Sequence, residues 1–204
     1  MTTILEEAAA GRATIVAWTV DQYHRAIESG LLVEDTAVEL LGGFLVRKDR
    51  AKAGESVMTI GDRHRVAVVR LAHASPLFES LGCFLQSQQP VSLPPANEPE
   101  PDAAVVRGKI DDHQESPPHA ADLSCVIEVA DSSLRLDLGP KLRTYAEAGV
   151  PQYIVVDLVG DRVLVHEEPS GESYARVTSL GRGDTVHIRA GAGYVPMAVD
   201  PLLP

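Results

Sequence analysis

Glu128 stands inside the most apolar run of the chain, Leu123-Ser124-Cys125-Val126-Ile127-Glu128-Val129. An ionised carboxylate buried in such a strand without a partner costs on the order of several kcal/mol, or it takes up a proton. Something must compensate it. Asp102 opens the preceding apolar run, Asp102-Ala103-Ala104-Val105-Val106, directly after Pro101. If the two strands are neighbours, the two carboxylates converge on one Mg²⁺, for which Mn²⁺ is a ready substitute, with water and a substrate phosphate completing the coordination. Lys141 follows Glu128 by one short loop and the first turn of the next helix, so its ammonium can point back across the strand end. A metal that lowers the pKa of water, together with a fixed positive charge, is what phosphodiester hydrolysis requires. The same residue types also serve as caps and ion-pair partners at strand ends. As cleft residues, Lys141 and Asp102 could be replaced at a cost of no more than about 1 kcal/mol in stability.

Other residues have weaker signals. Glu39 lies on the first strand of an expected hairpin, where it could instead pair with Arg47 or Lys48. His64, near a helix start between Arg63 and Arg65, could meet a phosphate or a metal-bound water, or could lie on the surface. Asp137 suits a helix cap or a partner that orients Lys141, and Ser132 and Ser133 suit caps. Tyr145 and Tyr153 read as core packing with satisfied hydroxyls, and Cys83 and Cys125 as small buried thiols. A glycosidase with paired carboxylates would want an aromatic-rich cleft, and aromatics are only 4% of the chain.

The elements that must carry these groups alternate between helix and strand, which points to an α/β fold. Thr19 followed by Gln22 is a capping box for a helix over about 20–29 whose apolar stripe is Val20, Tyr23 and Ile27. Gly42-Gly43 between Val38–Leu41 and Phe44–Val46 signals a hairpin. A helix over 63–71 follows and is kinked or ended by Pro76; residues 86–101 lead into the Asp102 strand. Residues 108–122 read as an exposed loop before the Glu128 strand. One continuous helix over about 134–148 is capped by Gly149, then Tyr153–Asp157 and Arg162–His166 pair around Gly160-Asp161. The tail from Tyr174 reads as short strands with glycine turns.

The 204 residues are enough for one core, divided as an N-terminal extension (1–17) and a single domain (18–204), with a core over about 18–167 and a β-rich extension over 168–204. A start with two glutamates and no basic leader, together with the lack of a long apolar run, leads to the expectation of a cytoplasmic protein that does not enter membranes. The net charge of −11 argues for weak or local binding of any nucleic acid. Basic residues gather at Arg47, Lys48, Arg50 and Lys52, and at Arg63, Arg65 and Arg70, either along one side of a cleft or as solvated charge.

The run Glu128-Val129-Ala130-Asp131-Ser132-Ser133-Leu134, then Asp137, Lys141, Tyr145-Ala146 and Ala148-Gly149-Val150-Pro151, resembles the signature of the Uma family of restriction-endonuclease-like proteins. Glu98-Pro99-Glu100-Pro101-Asp102 resembles that family's acidic motif, and Val38–Gly43 and the helix at His64 resemble its N-terminal half; the match spans about Trp18 to Asp157. Membership in the PD-(D/E)XK nuclease superfamily would imply a central mixed β-sheet flanked by helices, with additional hairpins, and Mg²⁺-dependent cleavage of DNA. Asp102 and Glu128 match its acids, while Ala130 stands where the lysine is usually found. The resemblance then implies a lysine migrated to Lys141, and Glu39 as the N-terminal acid that often completes the metal site. The other reading is a non-catalytic regulatory or interaction protein that retains the fold. Exposed strand edges suggest a homodimer.

Overall fold

The computed structural model describes residues 3–32, 38–47 and 61–204. Helix α1 (Ile4–Ala9) precedes α2 (Val20–Glu28), whose capping box is formed as the sequence predicts. Gln22 N–H donates to the Thr19 hydroxyl at 3.2 Å, and Thr19 N–H to Gln22 Oε1 at 3.0 Å. The buried stripe of α2 is Val20, Tyr23 and Ala26; Ile27, expected to face the core, is exposed in the last turn. Strands β1 (Val38–Leu41) and β2 (Phe44–Arg47) form the hairpin around Gly42 and Gly43. Both glycines have positive φ, 57° and 76°, as a tight two-residue turn demands.

Helix α3 (Asp62–His73) is followed by α4 (Ser75–Glu79). Pro76 falls in the first turn of α4, where its missing N–H leaves no bond unmade, so it starts a new helix instead of kinking the old one. A strand absent from the sequence reading, β3 (Cys83–Gln86), pairs antiparallel with β4 (Ala103–Arg107). Within the loop over 108–122 lie two short 3₁₀ turns, Ile110–His113 and Ala120–Asp122. Then come β5 (Leu123–Ala130), α5 (Leu134–Leu136), α6 (Leu142–Glu147), β6 (Gln152–Asp157), β7 (Arg162–Ser170), β8 (Ser173–Leu180), β9 (Thr185–Ala190) and β10 (Gly193–Ala198).

The expected continuous helix over 134–148 is interrupted. Residues Asp137–Lys141 form a π turn with Pro140 inside it. A proline ring clashes with the carbonyl four residues back in a regular α-helix, and a widened turn relieves that clash. Gly149, with φ of 74°, closes α6 as predicted.

Strands β3-β4-β5-β6-β7-β8 make one six-stranded sheet, antiparallel except for β5 and β6, which run parallel and are joined through α5 and α6. Helices α3 and α4 and the β9–β10 hairpin cover one face, packing Phe78, Leu71, Val186 and Ile188 against Cys125, Ile127 and Val129. On the other face Tyr145, Ala146 and Val150 pack against Val126, Ala130, Tyr153 and Val155. Cys83 and Cys125 are free and buried, as expected. Among the described residues no helix is long and apolar enough to cross a membrane.

Candidate active site

All eight residues of β5 are buried, and from Cys125 onward, past a register shift against β4, their side chains alternate between the two faces. Cys125, Ile127 and Val129 take the α3 side, while Val126 and Ala130 take the α6 side. Glu128 shares the parity of the second set, so the one carboxylate in the strand points at the helix that carries Lys141 and Tyr145. Those two residues are four apart, hence stacked on one helical face. Lys141 Nζ donates to Glu128 Oε1 at 2.9 Å, and the Tyr145 hydroxyl donates to the same oxygen at 3.1 Å. The π turn aims Lys141 inward, leaving it only 4% exposed. Its widened backbone is fixed by the Tyr153 hydroxyl, which donates to the Asp137 carbonyl at 2.9 Å.

The antiparallel register Ala103↔Ile127, extended by one residue, sets Asp102 across from Glu128. Asp102 Oδ2 accepts the Val129 N–H at 2.8 Å and lies 3.1 Å from His64 Nε2. The other ring nitrogen of His64, Nδ1, is buried without a hydrogen-bond partner among the described residues. Glu39, from β1, reaches Lys141 Nζ through Oε2 at 3.2 Å and accepts the Glu100 N–H on the same oxygen at 3.1 Å. Its ion-pair partner is therefore Lys141 and not Arg47, which stands opposite Val38; Lys48 lies outside the described residues. Asp137 accepts the Ser133 hydroxyl and lies inside the π turn, so it is not a helix N-cap.

One ammonium thus faces four carboxylates, and the titration of the cluster follows. Burial pushes Glu128 up to about 8; Lys141 opposes this, while Asp137, Asp102 and Glu39 add to it. Burial also raises Asp137 to about 6, against Lys141 and the Ser133 hydroxyl. Lys141 loses charge stability through burial, but Glu128, Glu39 and Asp137 more than restore it and hold it well above its usual range. Asp102 goes the other way. Burial raises it, yet the His64 hydrogen bond and charge, the Val129 N–H and Lys141 together outweigh burial and keep it below the ordinary value.

The fold thus brings Asp102, Glu128, Lys141, Glu39 and His64 to one place. Of the basic groups expected beside a cleft, Arg63 donates to the Pro204 carbonyl at 2.7 Å and Arg70 to the Pro201 carbonyl at 2.6 Å, so both fasten the C-terminal turn to α3. Arg65 is 3.7 Å from Asp62. Lys48, Arg50 and Lys52 lie outside the described residues. The sequence reading missed the Tyr145 hydroxyl as a site group. Its spacing of four from Lys141 was the available signal.

A six-stranded mixed sheet flanked by helices, with extra hairpins, gives the chain a nuclease-like α/β fold. Among solved structures the chain is similar to "a putative nuclease belonging to DUF820" from Anabaena variabilis ATCC 29413, with a TM-score of 0.64 and 14% identity over 91% of this chain and 97% of that one. The sequence profile of the Uma2 family, described as "Putative restriction endonuclease", matches residues 20–198, and the chain belongs to that family. No curated protein matches it.

Proposed function

We propose that the protein is a metal-dependent endonuclease that hydrolyses phosphodiester bonds of DNA, with Asp102 and Glu128 holding Mg²⁺ or Mn²⁺. The observation that carries this reading is the convergence of two strand-end acids, Glu128 buried and Asp102 partly exposed, with the buried Lys141 ammonium. The donor set suits a hard cation. The described contacts of Glu128 fall on Oε1 and those of Asp102 on Oδ2, so each acid has its second oxygen for a ligand. Among the described residues no group of three or more His, Cys, Asp or Glu side chains is arranged to hold a metal. Two carboxylates, with water and phosphate supplying the rest, is the usual protein share for Mg²⁺.

Bound there, the cation would polarise the phosphate and lower the pKa of a water at neutral pH. Lys141 supplies a permanently charged donor for the negative charge that develops on the phosphate oxygens. Glu39 shares the lysine with Glu128 and fixes where its ammonium sits. His64 and the Val129 N–H hold the Asp102 carboxylate in its ionised form. The acidic chain makes binding to duplex DNA local and salt-sensitive.

The test is nicking of supercoiled plasmid with Mg²⁺ or with EDTA. Wild type cuts only with the metal, while Asp102→Asn and Lys141→Met do not cut. Cleavage by both variants would remove the mechanism. A non-catalytic reading finds support in the two carboxylates that already occupy Lys141. Calorimetric titration separates the two: an idle site gives no difference in Mn²⁺ binding between wild type and Glu128→Gln.

A further inference from the structure

Three tyrosines are buried in a row on the α6 face, with Tyr145 and Tyr153 ring centres 4.9 Å apart and Tyr153 and Tyr174 6.3 Å apart. A buried hydroxyl needs an acceptor, and any backbone carbonyl would do. Tyr153 takes the Asp137 carbonyl and Tyr174 the Val150 carbonyl. Tyr145 alone of the three donates to a side chain, and that side chain is Glu128, which already has Lys141 on the same oxygen. Packing does not demand this choice, since a phenylalanine ring would fill the same space against Tyr153.

We propose that Tyr145 is a positioning residue for Glu128: its hydroxyl holds Oε1 beside Lys141, fixes the carboxylate orientation and leaves Oε2 as the oxygen that takes the metal. The inference rests on the metal-dependent reading above. Lys141 by itself is a poor clamp, because its ammonium is also shared with Glu39 and must answer to a phosphate when substrate arrives. A phenol on a two-torsion side chain, packed against the Tyr153 ring, keeps Glu128 in place while Lys141 adjusts. The groups that act around a metal's direct ligands in this way typically change affinity when removed.

The full chain carrying Tyr145→Phe is compared with wild type, with Tyr174→Phe as the control for a buried hydroxyl lost from the same row of rings without touching a carboxylate or the π turn. Mn²⁺ affinity is read by calorimetry at pH 8, and kcat and KM on plasmid DNA alongside it. Tyr145→Phe is expected to weaken Mn²⁺ about tenfold or more and to lower kcat with KM for DNA unchanged, while Tyr174→Phe stays within about twofold of wild type. Unchanged Mn²⁺ affinity in Tyr145→Phe, in a protein where Glu128→Gln abolishes binding, leaves the metal site standing and removes the positioning role. Equal losses in the two tyrosine variants reduce the effect to packing and overturn the proposal. If wild type binds no Mn²⁺, the metal reading itself falls, and this one with it.

Discussion

Replacing Glu128 by glutamine tests the electrostatics of the site without needing substrate. The carboxyl of Glu128 titrates near 4.5, the ordinary value for a glutamate, when unfolded and at about 8 in the fold, because it is buried among Asp137, Asp102 and Glu39. Between those values the native state binds a proton that the unfolded chain does not. Stability must therefore fall as pH rises towards 8. For a single group with these two pKa values, the loss between pH 6 and pH 8 is about 2 kcal/mol. For a chain of this size that is a melting temperature lower by roughly 4–8 °C. Asp137, titrating at about 6, adds its share mostly below this window. Glutamine has nearly the same shape and keeps one carbonyl oxygen for Lys141 and Tyr145, but it has no proton to lose. Thermal melts in EDTA at pH 6, 7 and 8 should show the wild type falling and Glu128→Gln holding nearly level, with the histidines common to both cancelling in the comparison. Parallel profiles for the two proteins would refute the reasoning and mean that Glu128 is ionised throughout, with Lys141 dominating its environment.

Metal affinity should carry the same signature: a cation that needs ionised Glu128 displaces its proton, so Mn²⁺ binding should strengthen by up to about tenfold per pH unit below pH 8, with proton release visible as a dependence of the calorimetric heat on buffer. Lys141→Met should cost roughly 3–5 kcal/mol in thermal unfolding at pH 8, and less at pH 6 where Glu128 is neutral, because it strands two buried carboxylates. That revises the sequence expectation of about 1 kcal/mol, since Lys141 is 4% exposed rather than a cleft residue. Asp102→Asn should abolish plasmid nicking while leaving the far-ultraviolet dichroism unchanged. Because Asp102 is held below its ordinary pKa, this variant should also lose less stability than wild type as pH falls below about 4, measured by acid unfolding. The homodimer expected from open edges has β8 as its candidate, the last strand of the sheet, with Val177 exposed on it; light scattering should give twice the monomer mass, and Val177→Lys should halve it.

Local chemistry was legible wherever a residue type fixes its own backbone. The Thr19 capping box, the Gly42-Gly43 turn and the Gly149 cap all follow from bonds or φ values settled within a few residues. Glu128 announced itself by charge in an apolar strand, and Asp102 by opening the strand before it. By contrast β3 has four residues and no distinguishing pattern, and it is a strand because β4 offers it an edge. The break at Pro140 was also in the sequence, but a regular helix and a π turn compete there, and the burial of Lys141 against two acids accompanies the second.

The sequence alone determined the inventory: which acids, which lysine, and the strands and helices to hold them. Only the tertiary structure decided who meets whom. Glu39 reaches Lys141 from a hairpin about a hundred residues away, His64 reaches Asp102 from a helix, and the Tyr145 hydroxyl turns to Glu128 and not to a carbonyl. These partnerships depend on strand register and on which face of β5 each side chain takes, and such long-range choices are set by packing the whole sheet rather than by any stretch of neighbouring residues.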